Sequence, residues 1–575
     1  MAKLQGLFNT NKISLSIREF LFFGIPLFLF CFISYYKSIS DAYYLWFITP
    51  FVCLIITYLY LYKISDSLQI NWVILSYLLL HSSILCFRNQ IFLFNSFLYT
   101  DIVIIFFVSF CASNLNSIKI INIAAVFFCF IIFDELQFEW TQLFSFSSPL
   151  IGRSGSSIFL GETLTFSLPL FYFVFVNSTH KFKIYIFLFL VFVTLFIIFR
   201  TNSRASYIAV LICLLTLFPW NNLYKLKKYL FGVSFLGIVF LVIYFLVFFH
   251  KYQSSMGRLL ILKISINKIK NYFILGTGLG GVHKNYLIWQ EEYFTSKIAS
   301  LNEQIIADNV FFIYNEYLKS FIEGGFIGFI IFLIPIYFII KDSKNSPIIN
   351  CFLRILLIYY TLSLFTNIGN TFIGSFFYFY SVTIITPNKF ILKFKSIYLR
   401  YFISIIIFTF IFVTIKQTYF NYKWGEALKK YFNNNNDFAL IEMEKIYPYM
   451  DDNAAFLFNY GSILAISNKN EKALEVLFKA NLLMKRSNLY DNIGGVYFQQ
   501  KNYLESIKYF KKSSFMVPNR FYPLGMILKC QIKLNQDYNA CKTPNFILKK
   551  PIKIQSPTIE SIVSYADDYI KLKCK

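Results

Sequence analysis

Charge is what this sequence has least of. Only 14% of its 575 residues are Asp, Glu, Lys or Arg, against about a quarter in a soluble globular chain. That deficit excludes a soluble enzyme with a solvated surface. Metal-ligand patterns are missing as well. No Cys-x-x-Cys pair and no Cys/His spacing of the zinc type occurs, so no zinc site is predicted and no other metal or cofactor is expected. Of the ten cysteines, Cys31, Cys53, Cys86, Cys111, Cys129, Cys213 and Cys351 lie in or beside apolar runs and read as small inert hydrophobes. Cys530, Cys541 and Cys574 lie in the tail, where one disulfide and one free thiol are expected. A cleavable leader is not expected either. The run Leu21–Tyr36 has no small-residue cleavage site and is followed by another apolar run.

What fills the deficit is apolar and aromatic. Hydrophobic residues reach 57% and aromatics 21%, with a mean hydropathy of +0.57. The formal net charge of +25 does not indicate nucleic acid, because the lysines sit largely in short loops between apolar runs. That distribution is the topology signal of a membrane protein. A span needs about 20 apolar residues. The sequence predicts an all-α, polytopic transmembrane helical bundle with about 13 spans. They fall near 19–36, 42–62, 71–87, 96–113, 119–133, 158–176, 184–200, 205–220, 229–249, 317–340, 350–367, 371–386 and 401–416. The lysine-rich set of alternate loops begins with Lys3 and Lys12 and ends with Lys393 and Lys395. Positive-inside places that set, and the N-terminus, in the cytoplasm. The segment 250–316 and everything after Lys416 are then expected outside.

The chain divides at about 416. Residues 417–575 are polar, rich in Asn and Lys, and helical in period. Gly461 to Gly494, Ala473 to Ser506 and Ala480 to Ser513 share one spacing. That spacing and its small residues predict a C-terminal tetratricopeptide-type helical repeat domain, with repeats over about 454–520. Helices near 424–448 and 521–535 are expected to cap it. A repeat of this kind suggests a possible protein partner.

Polar residues on the expected outer face concentrate in three places. The first is Arg200-Thr-Asn-Ser-Arg204-Ala-Ser206, at the end of one apolar run and the start of the next. Arginine at such a boundary reads either as a snorkelling helix end or as a functional group. Its planar fork suits phosphate. The second is Ser254-Ser-Met-Gly257-Arg258, which opens an amphipathic stretch. The third runs from Asn271 to Gly328 and holds His283, Asp308 and Glu316, then Glu323-Gly-Gly-Phe-Ile-Gly328. Glu316 and Glu323 lie two helical turns apart on one face. Gly276-Thr-Gly278-Leu-Gly280-Gly281 looks like a dinucleotide fingerprint, but no βαβ unit surrounds it. A flexible turn is the better reading.

In this order, the three segments resemble the O-antigen ligase and polymerase superfamily of bacterial envelope glycan enzymes. The resemblance covers roughly residues 150–345. It rests on Ser203-Arg204-Ala205, Gly257-Arg258-Leu259, Leu275-Gly276-Thr-Gly278 and Asn315-x-x-Leu318…Glu323-x-Gly325-x-x-Gly328. Gln290-x-x-Tyr293-Phe294 and Ala307-Asp308-Asn309 look like the Bacteroidetes-type version. The resemblance implies a metal-independent transferase at the outer face of the bacterial inner membrane. Its donor would be an undecaprenyl-pyrophosphate-linked glycan. Its acceptor would be a glycan, lipid or protein hydroxyl, with lipid A core for a ligase of lipopolysaccharide biosynthesis. Arg204 and Arg258, with Arg200 beside them, would bind the pyrophosphate. Ligases of the best-known type carry His where this chain has Tyr314. Tyrosine is a poor base near neutral pH, so Glu316, Asp308 and His283 are the candidate bases. A polymerase or a protein O-oligosaccharyltransferase would share the donor chemistry. A lipid-linked sugar transporter would instead show ionisable groups deep in several spans and an internal repeat, and an inactive scaffold is the remaining alternative.

Overall fold

The computed structural model describes residues 67–87, 117–138, 148–152, 155–177, 183–217, 252–296, 299–310, 312–341, 346–386, 389–393, 397–433 and 435–574, with a few single positions between 101 and 144. The expected spans near 19–36, 42–62 and 229–249 lie outside these residues, and the one near 96–113 lies largely outside them.

A strand, β1 (Ser67–Asn71), leads into α1 (Trp72–Phe87), followed by α2 (Ser117–Phe138). Next come α3 (Ser157–Thr165), α4 (Ser167–Val176), α5 (Lys183–Arg200) and α6 (Arg204–Leu217). The middle of the chain forms α7 (Tyr252–Lys268), α8 (Gly281–Thr295) and α9 (Leu301–Ile306). Helices α10 (Glu316–Lys341), α11 (Pro347–Ser363) and α12 (Phe372–Ile385) return to apolar sequence. Strand β2 (Lys389–Lys393) pairs antiparallel with β1, Ser67 opposite Lys393 and Asn71 opposite Lys389. This two-stranded sheet is an addition to the expected all-α chain.

Among the described residues, three helical stretches are long and apolar enough to cross a membrane: Ser117–Gln137, Ser157–Val176 and Glu316–Lys341. That corrects the expectation of about thirteen spans. The apolar runs near 71–87, 184–200, 205–220, 350–367 and 371–386 instead give shorter apolar helices, such as Tyr185–Arg200, Arg204–Thr216 and Ile373–Ile385. Polar punctuation shortens them. Asn202, at φ +52°, separates α5 from α6. Ser346 and Thr371 accept N–H bonds from Ile349 and Gly374 and so fix where α11 and α12 begin. A hydropathy window reads through such caps.

The C-terminal part begins with α13 (Ile397–Phe432), which carries the run expected near 401–416 onward without a break. It continues through α14 (Asn436–Met450), α15 (Ala454–Ile466), α16 (Asn470–Leu483), α17 (Ser487–Gln499) and α18 (Tyr503–Met516). Three more follow, α19 (Tyr522–Lys533), α20 (Asp537–Lys549) and α21 (Pro557–Lys573). The tetratricopeptide-type repeat expected over 454–520 is a second correction. No such unit is distinguishable from the surrounding bundle, because one apolar core runs through it. That core joins Leu260, Tyr286, Trp289 and Ile322 to Trp424, Phe456, Leu477, Ile493 and Met516. The small residues still sit where helices touch. A Cβ on Gly461 would lie 2.7 Å from the Leu477 side chain. Polar contacts seal the same junction. Asn519 donates to the Ile305 carbonyl at 3.1 Å, and Ser487 donates to Asn309 Oδ1 at 2.8 Å. Cys541 and Cys574 form a disulfide, and Cys530 is a buried free thiol, in line with the expected pairing of two and one.

Helix α10 is not continuous. Gly325 has φ +65° and ψ −167° within it. The freed carbonyls are taken by the Gly-rich segment. Thr277 N–H donates to Ile322 O at 2.7 Å and Gly278 N–H to Glu323 O at 2.9 Å, while Phe326 N–H donates to Phe273 O at 2.7 Å. Glycine is required on both sides of this pairing. A Cβ on Gly325 would lie 2.1 Å from Ile274 O, and one on Gly276 would lie 2.3 Å from Glu323 O. Gly325→Ala therefore combines a clash with a left-handed backbone and should cost on the order of 2–4 kcal/mol. Gly495→Ala, where an added Cβ meets nothing within 4 Å, should be neutral or slightly stabilising. Thermal unfolding of both variants in detergent separates them; equal midpoints would contradict the pairing.

Candidate functional site

The site is assembled from the turn between α5 and α6. Gly161 of α3 presses on it, since a Cβ there would lie 2.7 Å from Ser206 Oγ and 2.8 Å from Thr201 Oγ1. That close approach carries the next residue, Glu162, up to the turn. Arg200 is buried at the back: its guanidinium donates to Ser148 O at 3.4 Å and its carbonyl accepts from Leu150 N at 2.9 Å. Arg204 opens α6 and points forward, donating to Ser255 Oγ of α7 at 2.7 Å.

Ser255 and Arg258 are one helical turn apart on α7, so they share a face. Arg258 donates to Phe365 O at 2.9 Å, and its guanidinium lies 5.0 Å from the centre of the Tyr314 ring. Burial and the nearby Arg204 guanidinium both hold its pKa below the usual arginine value, while Tyr314 and Glu162 pull the other way. Two arginines from separate helices thus repel one another across a half-buried space.

Tyr314 occupies the left-handed region at φ +58°, which is uncommon for a bulky residue. Its N–H donates to Asn367 Oδ1 at 3.0 Å. The next residue, Asn315, starts α10 by accepting from Leu318 N at 2.8 Å, and donates to Leu364 O at 3.2 Å. The turn after α11 is therefore fastened to the head of α10 at several points. Glu316 follows, 5% exposed. Its Oε2 pairs with Lys319 Nζ at 3.1 Å; its Oε1 is buried without a hydrogen-bond partner. Lys319 also donates to Asn370 Oδ1 at 2.5 Å and is within electrostatic reach of Glu323 and Asp101. Glu162 is equally buried, and its Oε1 is likewise unpartnered.

A small pocket connects this head of α10 to α8. His283, Phe312, Lys319, Glu323 and Asn370 line it. Glu323 accepts from the Val282 N–H at 3.3 Å, so the broken helix and the start of α8 are held as one piece. The His283 ring lies 5.8 Å from Phe312, and its Nε2 is 3.4 Å from an Arg486 nitrogen.

Of the residues singled out from sequence, Arg258 and Glu316 thus meet the 364–370 turn, Arg204 joins the Arg258 helix through Ser255, and His283 adjoins the head of α10 through the pocket. Arg200 braces the α5–α6 turn from behind. Asp308 faces the C-terminal helices, where its exposed carboxylate pairs with Lys553 at 3.1 Å. Sequence reasoning passed over Glu162, Lys319, Asn367 and Asn370. Glu162 carried a usable signal, a carboxylate inside an apolar run. The two asparagines carried none, since only the fold brings them to residues some 50 positions earlier.

The family model described as O-antigen ligase matches residues 163–333. The match covers less than a third of the chain and contains Arg200, Arg204, Arg258, His283, Asp308 and Glu316. No curated protein matches the sequence. The chain is membrane-associated and carries a segment consistent with the broad O-antigen ligase family.

Lys319 is the counter-ion of a buried carboxylate, so removing it alone should be severe. Lys319→Met should cost about 3–5 kcal/mol. Adding Glu316→Gln should restore most of that loss, because the orphaned charge goes with it. Detergent-solubilised thermal melts of the single and double variants measure this, and a double variant no better than the single would argue against the pair.

Proposed function

We propose that this protein is an envelope glycan transferase, ligase-like, that moves a glycan from undecaprenyl pyrophosphate to an acceptor hydroxyl, such as one on lipid A core, at the outer face of the inner membrane. The observation that carries the reading is the pair of mutually repelling arginines, Arg204 and Arg258, on two helices joined through Ser255. Like charges held together are stabilised by an anion of matching charge, and a diphosphate uses both forks.

In this reading the acceptor oxygen attacks the anomeric carbon as the bond from that carbon to the pyrophosphate oxygen breaks. The bonding pair leaves on undecaprenyl pyrophosphate, and the guanidinium groups meet that charge as it develops. The acceptor proton passes to a carboxylate. Glu316 is the best-supported base, because Oε1 is buried and unpartnered while Lys319 fixes Oε2. Tyr314 supports Arg258 through its ring face.

The membrane part is assigned to residues 1–416 and the outer helical part to 417–575. Sidedness has independent support. Packing of residues between Leu260 and Ile313 in one core with the C-terminal helices supports placing both on one side of the membrane, and a Cys541–Cys574 disulfide fits an oxidising compartment. A reporter active only in the periplasm should be active when fused after Lys416. A silent fusion there, with an active one after Lys341, would reverse the orientation.

Transfer itself is tested in a reconstituted assay with undecaprenyl-pyrophosphate glycan and candidate acceptors. Losing one donor to the developing charge typically costs on the order of a hundredfold in rate. Arg204→Ala and Arg258→Ala should each show that loss, and the lysine variants nearly as much, since lysine lacks the fork. Glu316→Gln should lose turnover more than substrate capture. Near-normal transfer by both alanine variants would remove the proposal.

A further inference from the structure

Three consecutive apolar side chains stand open in a part of the chain otherwise expected outside the membrane. Phe273, Ile274 and Leu275, at the tip between α7 and α8, are 50%, 67% and 46% exposed. The Phe273 ring is stacked on Phe326 of α10 at 5.8 Å with planes 8° apart, and meets Phe321 edge-on at 5.5 Å. Phe326, Ile327 and Ile330 are themselves exposed, so the apolar surface of the tip continues down α10. It also continues along α7. Leu259 and Ile266 are exposed and seven residues apart, two turns along one face. Exposed Lys263 and Lys270, at the same spacing, border them. A contiguous apolar surface of this kind marks a contact with something apolar, and a strip of it edged by lysines is the pattern of a segment lying at a membrane surface.

Helix α10 sets the depth of the tip. It is long and apolar enough to cross a membrane, and no Asp, Glu, Lys or Arg occurs between Glu323 and Lys341. Lys341 lies 5.5 Å from the centre of the Tyr337 ring, a lysine beside a tyrosine of the kind found where a span leaves the bilayer. From Lys341 back to Phe326 is about 15 residues, or about 22 Å of helix. A hydrocarbon core about 30 Å thick that starts at Lys341 therefore reaches beyond Phe326 by about 8 Å. The Phe326 N–H donates to Phe273 O at 2.7 Å, so the tip shares this height. That is the depth at which interfacial apolar groups bury. The turn is also closed on itself, since Gly276 N–H donates to Tyr272 O at 3.1 Å, which lessens the cost of taking its backbone out of water.

We propose that Phe273-Ile274-Leu275 is a membrane wedge, inserted among the phospholipid acyl chains of the leaflet nearest α8, with the exposed stripe of α7 resting on the headgroup boundary beside it. The bilayer is the occupant because the wedge is bonded and stacked onto the lipid-length part of α10 and is continuous with its exposed face. The proposal goes beyond the transferase reading and holds or fails independently of it.

Tryptophan fluorescence in brominated bilayers tests this on the full chain. Ile274→Trp and Leu275→Trp variants are reconstituted in phosphatidylcholine brominated either near the headgroup or near the end of the acyl chain. The emission of the parent chain, with its own tryptophans, is subtracted. Both side chains are exposed, so the larger ring has room, and melting midpoints equal to the parent's check that it does. Leu504→Trp is the control, on an exposed site of α18 beside the Lys508–Glu505 pair. The added emission at 274 and 275 should be lost to bromine, more to the shallow label than to the deep one, while that at 504 should be lost to neither. Unquenched emission at 274 and 275, or quenching no greater than at 504, would overturn the wedge. Emission shifted to the blue yet unquenched would mean that protein covers the tip, a second copy of the chain included, and would overturn it likewise. Stronger loss to the deep label would place the tip near the middle of the bilayer and contradict the depth set by α10. None of these outcomes bears on Arg204 or Arg258, so a failure here leaves the transfer reaction to be judged by its own assay.

Discussion

The arrangement depends on one backbone interaction, the docking of residues 273–278 against the break in α10. An interrupted helix inside apolar surroundings leaves carbonyls and N–H groups that must be satisfied by protein, since lipid offers none. Here Thr277 and Gly278 supply N–H donors to Ile322 and Glu323, and Phe273 supplies the carbonyl for Phe326. The bonds form only because Gly276 and Gly325 have no side chain at the crossing. Once formed, they fix the head of α10, with Glu316, Lys319 and Glu323, against the start of α8, with His283. The Gly-rich run that looks like a nucleotide fingerprint is therefore a structural clasp.

From that clasp the charges follow in order. Lys319 sits between Glu316 and Asn370 and ties α10 to the turn after α11. The same turn offers Phe365 O to Arg258 and Asn367 to the Tyr314 backbone. Arginines and carboxylates thus share a scaffold. Glu162 and Glu316 each retain a buried, unpartnered oxygen. An unsatisfied buried acceptor costs free energy, and the two at Glu162 and Glu316 each call for an explanation.

Much of this was legible in the sequence as order along the chain and less as geometry. Arg204 stood out because arginine at an apolar boundary needs a reason and Arg258 because it opens an amphipathic stretch, and the fold joins their helices through Ser255. The disulfide was legible as one bridge among three tail cysteines, and the bundle selects Cys541 and Cys574. The number of membrane-length helices was not legible, because hydropathy counts apolar residues and is blind to a cap such as Ser346 or a left-handed Asn202. Nor was the position of Asp308, whose neighbour in sequence, Asn309, gave no hint that Lys553 closes over it. The repeat spacing of Gly461 and Gly494 pointed to close helix contacts correctly, but not to a core continuous with α7, α8 and α10.

The central claim is that Arg204 and Arg258 together hold a pyrophosphate, and lipid retention tests it without requiring transfer. Native mass spectrometry of the purified chain, offered equal amounts of undecaprenyl pyrophosphate and undecaprenyl monophosphate, reads the preference directly. The account predicts selective retention of the pyrophosphate by the parent chain, with that selectivity lost when both arginines are replaced by alanine. Equal retention of the two lipids by the parent, or an unchanged preference in the double variant, would contradict it.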